Sequence, residues 1–303
     1  MICWHLILNI TLKQLLVFTT TVRLNGITKA ADELCLTQSA ASQSLKELEL
    51  VLGYPLFNRV GRKLLINDHG RIILSKAIQM LELQTQLQQP SSEYLQGELK
   101  VAASVTIGSY VMPRLLADFV KQHPLVNPKL YISNSDNVIK RLSAGQAHLG
   151  LVEAPIATST LSLTPWRNDE LVVFCSSSHP FAKQGKLTTK QLAKQRWILR
   201  EQGSGTRSVF INAMQQQGMV INDSMDLSRQ EAIKQSVKAN LGLGVLSLLS
   251  IQQELDFKLF TQLNTPLNLN RQFSIVQSRH YSHNHLTNKF LLFLKQNALS
   301  LNR

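Results

Sequence analysis

Residues 28–49, TKAADELCLTQSAASQSLKELE, carry two helical patterns separated by a short break. The first pattern contains the small pair Ala30-Ala31, which allows two helices to cross closely. The second repeats apolar residues every three or four positions from Ala41 to Leu52, as the buried face of an amphipathic helix does. The stretch therefore predicts two helices that pack against each other across a tight turn.

Further helical and extended patterns flank this pair. Apolar residues from Leu12 onward indicate a preceding helix that ends at the turn pair Asn25-Gly26. The stretch YPLFNRVGRKLLIND places two extended runs on either side of Gly61, the pattern of a small β-hairpin or wing. Residues 71–89 then lack Gly and Pro and carry an apolar seam, which predicts one continuous helix that needs a partner helix.

The stretch QQPSSEYLQG, at 88–97, supplies Pro, Ser and Gly and marks a boundary between two units. Beyond it, short apolar runs alternate with helical patterns, which predicts βαβ units and a largely parallel sheet. The predicted strands are 98–104, 129–133, 148–154, 170–177, 196–200, 224–228, 243–247 and 270–278, and the predicted helices are 112–122, 137–144, 206–217, 230–239 and 285–298. Two such lobes joined by crossing strands leave a cleft at the carboxyl ends of their strands, where folds of this kind bind ligands.

The composition describes a globular protein with a basic surface. The chain has 303 residues, enough for two or more compact units, and its net charge of +13 favours a polyanionic partner such as nucleic acid. A basic solvated surface would give the same charge, so the charge alone does not locate the partner. Three cysteines without metal-ligand spacing favour a reducing compartment, and no apolar run is long enough for a membrane helix. We therefore expect a cytoplasmic protein with no membrane association.

The helix pair within 28–49 is typical of a motif that binds in the DNA major groove. Its second helix would bury Ala and Leu and present Gln, Ser and Lys, which are residue types that contact bases or phosphates. An ordinary αα-hairpin with a polar solvent face has the same pattern. Basic residues on the wing favour the DNA interpretation, because phosphate contacts hold such a helix in place. The candidate DNA-binding residues are Thr37, Gln38, Ser39, Ser42, Gln43, Lys46, Arg59, Arg62 and Lys63.

The N-terminal stretch from Thr11 to Gly70 resembles the winged helix-turn-helix of LysR-type transcriptional regulators. The Ala-Ala pair, the Thr-Gln-Ser-Ala-Ala-Ser opening of the recognition helix and the block LGYPLFNR carry this resemblance. The chain departs from the family at Asn25-Gly26, where Gly-Ser is usual, and at Ser39, where Pro is common. It also has Asn67 where Thr usually starts the long helix. None of these departures removes a candidate DNA contact.

The second half is similar to the effector domain of the same family. Within the family, it is most similar to the branch that contains regulators of sulfur assimilation and of carbon dioxide fixation. The segments that carry this similarity are GELKVAASVTIGSYVMPRLLADF, DELVVFCSSSHPFA, REQGSGTR and EAIKQSVKANLGLGVLS. The resemblance implies an α/β effector domain of two Rossmann-like lobes, like the periplasmic binding proteins, preceded by an all-α winged helix-turn-helix domain and a long linker helix. The expected boundaries are 11–69 for the DNA-binding domain, 70–90 for the linker and dimerisation helix, 91–97 for a hinge, and 98–303 for the effector domain, with lobe I at 98–169 and 270–303 and lobe II at 170–269.

Hydroxyl residues and glycines follow the strands that face the expected cleft. Ser104 and Thr106 follow the first strand, and the GSGTR loop at 203–207 holds the matching position in the second lobe. Hydroxyls and free backbone N–H groups at a helix N-terminus bind anions, although capping residues and loop glycines give the same pattern. Glu153 could instead repel an anion or pair with a cation. We expect a small anionic effector, with candidate contacts at Ser104, Thr106, Ser135, Glu153, Ser204, Gly205, Thr206 and Arg207.

No enzyme motif is present. The GSGTR loop lacks the Lys of a phosphate-binding P-loop, and there is no nucleophile elbow, so no catalytic residue is predicted. The segment HYSHNH at 280–285 could bind a metal, but a polar loop before the last helix explains it without one, so no metal site is expected.

The sequence therefore predicts a DNA-binding transcriptional regulator modulated by a small-molecule effector, without a cofactor. We expect it to act on double-stranded DNA as a homodimer or homotetramer, with RNA polymerase as a candidate partner. The alternative is a cytoplasmic solute-binding or enzymatic α/β protein whose N-terminal helices only dimerise it. Specific binding to DNA distinguishes the two.

Overall fold

The chain divides into two units in the computed structural model, which describes residues 10–60, 63–88, 95–153, 161–278 and 284–298. The first unit is formed mainly by residues up to Leu95, and the second mainly by Gln96–Leu142 and Ala147–Gln277. Within the described ranges, no helix is both long and apolar enough to cross a membrane.

The first unit begins with three short helices, and a threonine caps the N-terminus of the first and of the third. Thr11 accepts the N–H of Gln14 in a capping box, and Thr37 accepts the N–H of Ala40 at 3.1 Å. Gly53, at φ 80°, ends the third helix in the left-handed conformation that glycine favours. The helices are α1 (Leu12–Leu24), α2 (Ile27–Glu33) and α3 (Gln38–Leu52).

An antiparallel hairpin and a long helix complete the first unit; they are β1 (Phe57–Val60), β2 (Lys63–Ile66) and α4 (Asp68–Gln88). The long helix begins at Asp68 and not at Arg71. The reason is that Asn67 accepts the N–H of Gly70 at 2.8 Å and caps an earlier turn. The core of the unit consists of Leu15, Phe18, Leu45, Leu48, Leu56, Phe57, Leu74 and Ala77.

The second unit is built on a sheet of nine strands among the described residues. The strands are β3 (Gln96–Ser104), β4 (Leu125–Ser133), β5 (Leu149–Val152), β6 (Leu161–Ser176), β7 (Trp197–Arg200), β8 (Ser224–Leu227), β9 (Leu243–Ser247), β10 (Phe260–Leu263) and β11 (Asn270–Ser278). Their order is β4-β3-β5-β11-β6-β9-β7-β8, with β10 beside β6. β3 runs parallel to β4 and β5, and β7 runs parallel to β8 and β9. The antiparallel strands β11 and β6 lie between these two parallel groups, which form lobe I and lobe II.

Helices connect the strands of each lobe, and a last helix follows the final strand. They are α5 (Met112–Gln122), α6 (Ser135–Ser143), α7 (Thr189–Leu192), α8 (Gly205–Gln216), α9 (Gln230–Lys238), α10 (Leu248–Asp256) and α11 (His285–Gln296). A π-helical turn over Ile107–Val111 precedes α5.

Both faces of the lobe II sheet are covered by apolar side chains. Leu171 and Val173 of β6 pack into one cluster, and Val172 and Phe174 pack into another, because successive side chains of a strand point to opposite faces. Because other elements pack on both faces of a parallel sheet, its ligands bind at the carboxyl ends of the strands.

Candidate functional site

The carboxylate of Glu153 lies at the centre of a buried polar cluster between the two lobes. Glu153 follows β5, and its Oε1 accepts the backbone N–H of Thr106 at 2.8 Å. Its Oε2 accepts the hydroxyl of Thr206 at 3.1 Å and Nη1 of Arg271 at 2.9 Å. Thr106 precedes the helical turn that leads into α5, and Thr206 lies in the first turn of α8. The carboxylate therefore receives hydrogen bonds at helix N-termini of both lobes.

Arg271, on β11, joins the members of this cluster. Its Nε donates to Asp169 at 2.6 Å, its Nη1 also donates to Thr206 at 3.0 Å, and its Nη2 donates to Thr106 at 3.3 Å. Asp169, on β6, also accepts the hydroxyl of Ser247 at 2.7 Å. All these side chains are buried, so two carboxylates share one guanidinium away from solvent.

The surroundings of the two carboxylates shift their pKa values in opposite directions. Burial alone would raise the pKa of Glu153, but the charge of Arg271 and the hydrogen-bond donors of Thr106 and Ser104 outweigh burial, and the pKa lies below its ordinary value. Burial raises the pKa of Asp169 against the opposing effects of Arg271 and Ser247. Glu153 is therefore the better stabilised of the two anions.

Two buried hydroxyls at the same end of the lobe I sheet have no hydrogen-bond partner among the described residues. They belong to Ser104, the last residue of β3, and Ser135, the first residue of α6; the two residues are 1% and 3% exposed. The pairing of Ala103 with Leu151 and of Ser104 with Ser133 places the carboxyl ends of β3, β4 and β5 side by side. The Ser104 hydroxyl is near enough to the Glu153 carboxylate to lower its pKa, and both hydroxyls are groups that a ligand or water could satisfy.

Loops and helix ends of the two lobes also contact each other next to the cluster. Asn134 of lobe I donates to the Glu201 carboxylate of lobe II at 3.2 Å. Gly203 has φ 83°, a left-handed conformation that glycine favours, and a Cβ there would lie 2.8 Å from a carboxylate oxygen of Asp136. Gln230, at the start of α9, donates to the hydroxyl of Thr106 at 3.1 Å.

The residues of the GSGTR loop have different environments. Ser204 and Gly205 are buried at the start of α8, and the Ser204 side chain makes no capping hydrogen bond. Arg207 does not join the cluster: its Nη1 donates to the carbonyl of Arg200 at 2.9 Å and to the carboxylate of Asp226. Arg271, and not Arg207, supplies the positive charge beside Glu153.

Arg271, Asp169 and Gln230 are not among the site residues predicted from the sequence. Arg271 and Asp169 are far apart in the chain, and they meet because β11 and β6, the two strands that cross between the lobes, are neighbours in the sheet. One signal was present in the sequence: Arg271 is in phase with Phe273 and Ile275 on the buried face of β11. A charged residue on such a face needs a buried partner.

The predicted DNA-binding residues of α3 lie on its exposed face; they are Gln38, Ser39, Ser42, Gln43 and Lys46. Ala41, Leu45 and Leu48 are buried on the opposite face. Thr37 is also exposed, and its hydroxyl, besides capping α3, shares a hydrogen bond with Ser39 at 3.0 Å.

The wing carries the remaining predicted DNA contacts. Arg59 lies in β1 and Lys63 opens β2, but the side chains of both, and the whole of Arg62, lie outside the described residues. Residues 280–283 of the HYSHNH segment also lie outside them. Within the described part of the chain, no group of three His, Cys, Asp or Glu side chains could hold a metal ion.

Two family descriptions together match most of the chain. Residues 12–71 match the bacterial regulatory helix-turn-helix protein of the lysR family, and residues 92–299 match the LysR substrate binding domain.

Curated relatives match over similar lengths. The chain is 34% identical to the HTH-type transcriptional regulator YeiE of Escherichia coli, over 95% of this chain and 97% of that protein. It is 31% identical to the RuBisCO operon transcriptional regulator of Allochromatium vinosum, over 85% and 86% of the two chains. It is 30% identical to the HTH-type transcriptional regulator CysL of Bacillus subtilis, over 93% and 96%. The expected branch of the family is confirmed.

Solved structures share the fold. A full-length OxyR variant from Pseudomonas aeruginosa aligns with a TM-score of 0.74 at 19% identity, covering 95% of this chain and 94% of that one. The regulatory domain of Synechocystis CcmR, in complex with 2-PG, aligns with a TM-score of 0.62 at 26% identity, covering 68% and 99%. The chain therefore belongs to the LysR family and is a DNA-binding transcriptional regulator whose activity a small-molecule effector modulates.

Proposed function

We propose that the effector of this regulator is a small anion, bound between the two lobes at the cluster around Glu153. One observation carries the proposal: a helix N-terminus of each lobe and a guanidinium converge on a single buried carboxylate. Hydrogen-bond donors of this kind recognise anions. The CcmR structure supports a small ligand in this type of domain, because it holds 2-PG.

The proposed contacts combine the predicted residues with Arg271. Ser104 and Ser135 would pair their buried hydroxyls with the effector, and Thr106, Thr206 and Arg271 would donate to it. The buried residues Ser204 and Gly205 would offer their backbone at the start of α8. Arg207 would act indirectly, because it holds the start of α8 to Asp226.

On the DNA side, α3 would enter the major groove, with the wing at the adjacent phosphates. Gln38, Ser42, Gln43 and Lys46 would face the bases, since they share the exposed face of α3. Thr37 and Ser39 would contact DNA at the start of the helix, and Arg59, Arg62 and Lys63 would contact the phosphates. In a dimer, two α3 helices would occupy successive major grooves.

Members of the LysR family oligomerise, and α4 is the proposed dimerisation helix. Its exposed apolar residues support this, because Ile72, Met80 and Leu83 are 60%, 46% and 54% exposed in the single chain. The assembly would be a homodimer or homotetramer that acts on chromosomal DNA in the cytoplasm, with RNA polymerase as a partner. The proposed domain boundaries are 11–69, 70–90, 91–97 and 98–303.

Calorimetry of the full chain with sulfite, sulfate, phosphate and phosphorylated sugars tests the effector proposal. One of these anions should bind saturably, and Thr206→Ala should weaken that binding about tenfold or more, because a hydrogen bond to a charged group is worth about 1.5–3 kcal/mol. Thr188→Ala is the matched control, since it removes a threonine cap from α7, which lies outside the cluster. The absence of binding by every anion, or an equal loss in both variants, would contradict the proposal.

A further inference from the structure

We propose that Glu153 is a built-in ligand: its carboxylate occupies the anion site and joins the two lobes until an effector displaces it. This inference rests on the proposed anion site. The three donors to the carboxylate come from three different parts of the fold, namely Thr106 of lobe I, Thr206 of lobe II and Arg271 of a crossing strand. All three lie between 2.8 and 3.1 Å from its oxygens. A bound oxyanion would use the same donors.

Charge pairing with Arg271 alone does not explain the position of Glu153. Arg271 already has a partner in Asp169, whose carboxylate lies 2.6 Å from its Nε. One carboxylate neutralises one guanidinium, so the second leaves the buried cluster with an excess negative charge. The charge of Arg271 still contributes most to stabilising the Glu153 carboxylate, but the carboxylate also accepts the backbone N–H of Thr106 and the hydroxyl of Thr206, at the N-termini of two helices. The donors around Glu153 are therefore those of an anion-binding site.

The built-in carboxylate limits which anions can act as effectors. Because Glu153 is attached to the chain, its effective concentration at the site is high, and a free carboxylate or halide competes poorly with it. An effector needs additional oxygens that also reach the buried hydroxyls of Ser104 and Ser135, neither of which makes a well-formed hydrogen bond within the described residues. The class of ligand that fits is an oxyanion or phosphate ester with three or more oxygens on its central atom.

Chemical rescue of Glu153→Ala with acetate tests this inference. The substitution removes a CH2 and a carboxylate, which together have the size and charge of acetate. Acetate should raise the Tm of the full-length Glu153→Ala variant by roughly 3–5 °C more than it raises that of the wild type. Acetamide, which has the same shape without the charge, and chloride at equal ionic strength should not do so. Glu153→Gln should not respond, because its amide fills the space.

If Glu153→Ala does not fold in acetate-free buffer, Glu153→Ser with formate provides the same comparison, since serine keeps a polar group near the N–H of Thr106. Equal responses of the wild type and both small variants to acetate and formate would overturn the inference. If the responses are equal but the wild type still binds an oxyanion in calorimetry, the built-in role of Glu153 is contradicted and the proposed effector site is retained. Rescue of Glu153→Ala together with no oxyanion binding to the wild type would support the built-in ligand and remove the effector proposal.

Discussion

The ionic side chains around Glu153 are buried together, which makes each of them sensitive to the loss of a partner. Arg271 contacts Glu153 at 2.9 Å and Asp169 at 2.6 Å. Removing Arg271 would leave two buried carboxylates without a counter-charge, at a cost of about 3–5 kcal/mol. The lowered pKa of Glu153 shows that the folded chain favours its ionised form, so part of this stability depends on pH.

Glu153→Gln should lower the free energy of unfolding at pH 7 by about 1.5–3 kcal/mol, because an amide replaces the carboxylate that accepts hydrogen bonds from Thr206 and Arg271. The pKa of Glu153 is lower in the folded chain than its ordinary value of 4.5, so its stabilising effect is present above pH 4.5 and is lost as pH falls through the lower folded pKa. The difference in stability between wild type and variant should therefore shrink as pH falls below 4.5. Urea unfolding at several pH values, followed by the fluorescence of Trp166 and Trp197, measures this difference. A difference that stays constant from pH 7 to pH 3 would contradict the assigned role.

The positions of Thr106, Glu153 and Thr206 could be predicted because each follows a strand of a βαβ pattern, and the carboxyl ends of parallel strands meet at one edge. Their partners could not be predicted in the same way. Arg271 and Asp169 lie on crossing strands whose pairing depends on the whole sheet. The orientation of Arg207 toward Asp226 likewise depends on β8, which local patterns do not place beside α8.

Among the elements, α4 depends on a close approach between its first turn and the loop that joins α3 to β1. Gly70 lies in that turn, and a Cβ there would overlap the carbonyl oxygen of Leu56 and lie 2.7 Å from Cγ1 of Ile66. Asn67 adds to the same junction, since it donates to the carbonyl of Pro55 at 2.9 Å while it caps α4. The hairpin, the loop and α4 therefore pack as one structure.

Gly70→Ala should destabilise the first unit by about 1–3 kcal/mol, because the added methyl group has no space. The Tm of that unit should fall by roughly 5 °C or more, and DNA affinity measured at 37 °C should fall with it. Gly26→Ala is the control, because a Cβ at Gly26 would have no neighbour within 4 Å. Thermal unfolding followed by circular dichroism measures both variants. Equal stability of the two would show that the junction tolerates a side chain.

Elements with clear caps or strong periodicity could be predicted, and those that depend on tertiary pairing could not. The caps at Thr37 and Gly53 define α3 in the sequence itself. By contrast, β4 begins at Leu125 and not at 129, because a strand at the edge of a sheet tolerates Pro128. β10 has no strong pattern of its own and forms by pairing with β6.

At the scale of the whole molecule, an effector can change DNA binding only if it binds one arrangement of the protein better than another. In our proposal the cluster around Glu153 provides such a difference, because its hydrogen bonds cross between the lobes. An anion that replaces the Glu153 carboxylate would change which groups join the lobes. The proposed consequence is a different arrangement of the two DNA-binding units in the oligomer.

The most direct test is fluorescence anisotropy with labelled promoter DNA from beside the gene of this protein, with and without the anion identified by calorimetry. The anion should change the DNA affinity of the wild type by about fivefold or more. In Thr206→Ala, the same anion concentration should have little effect on the DNA affinity, relative to the same variant without the anion. If the anion binds the wild type but leaves its DNA affinity unchanged, or changes the affinity equally in Thr206→Ala, control of DNA binding through this site is contradicted.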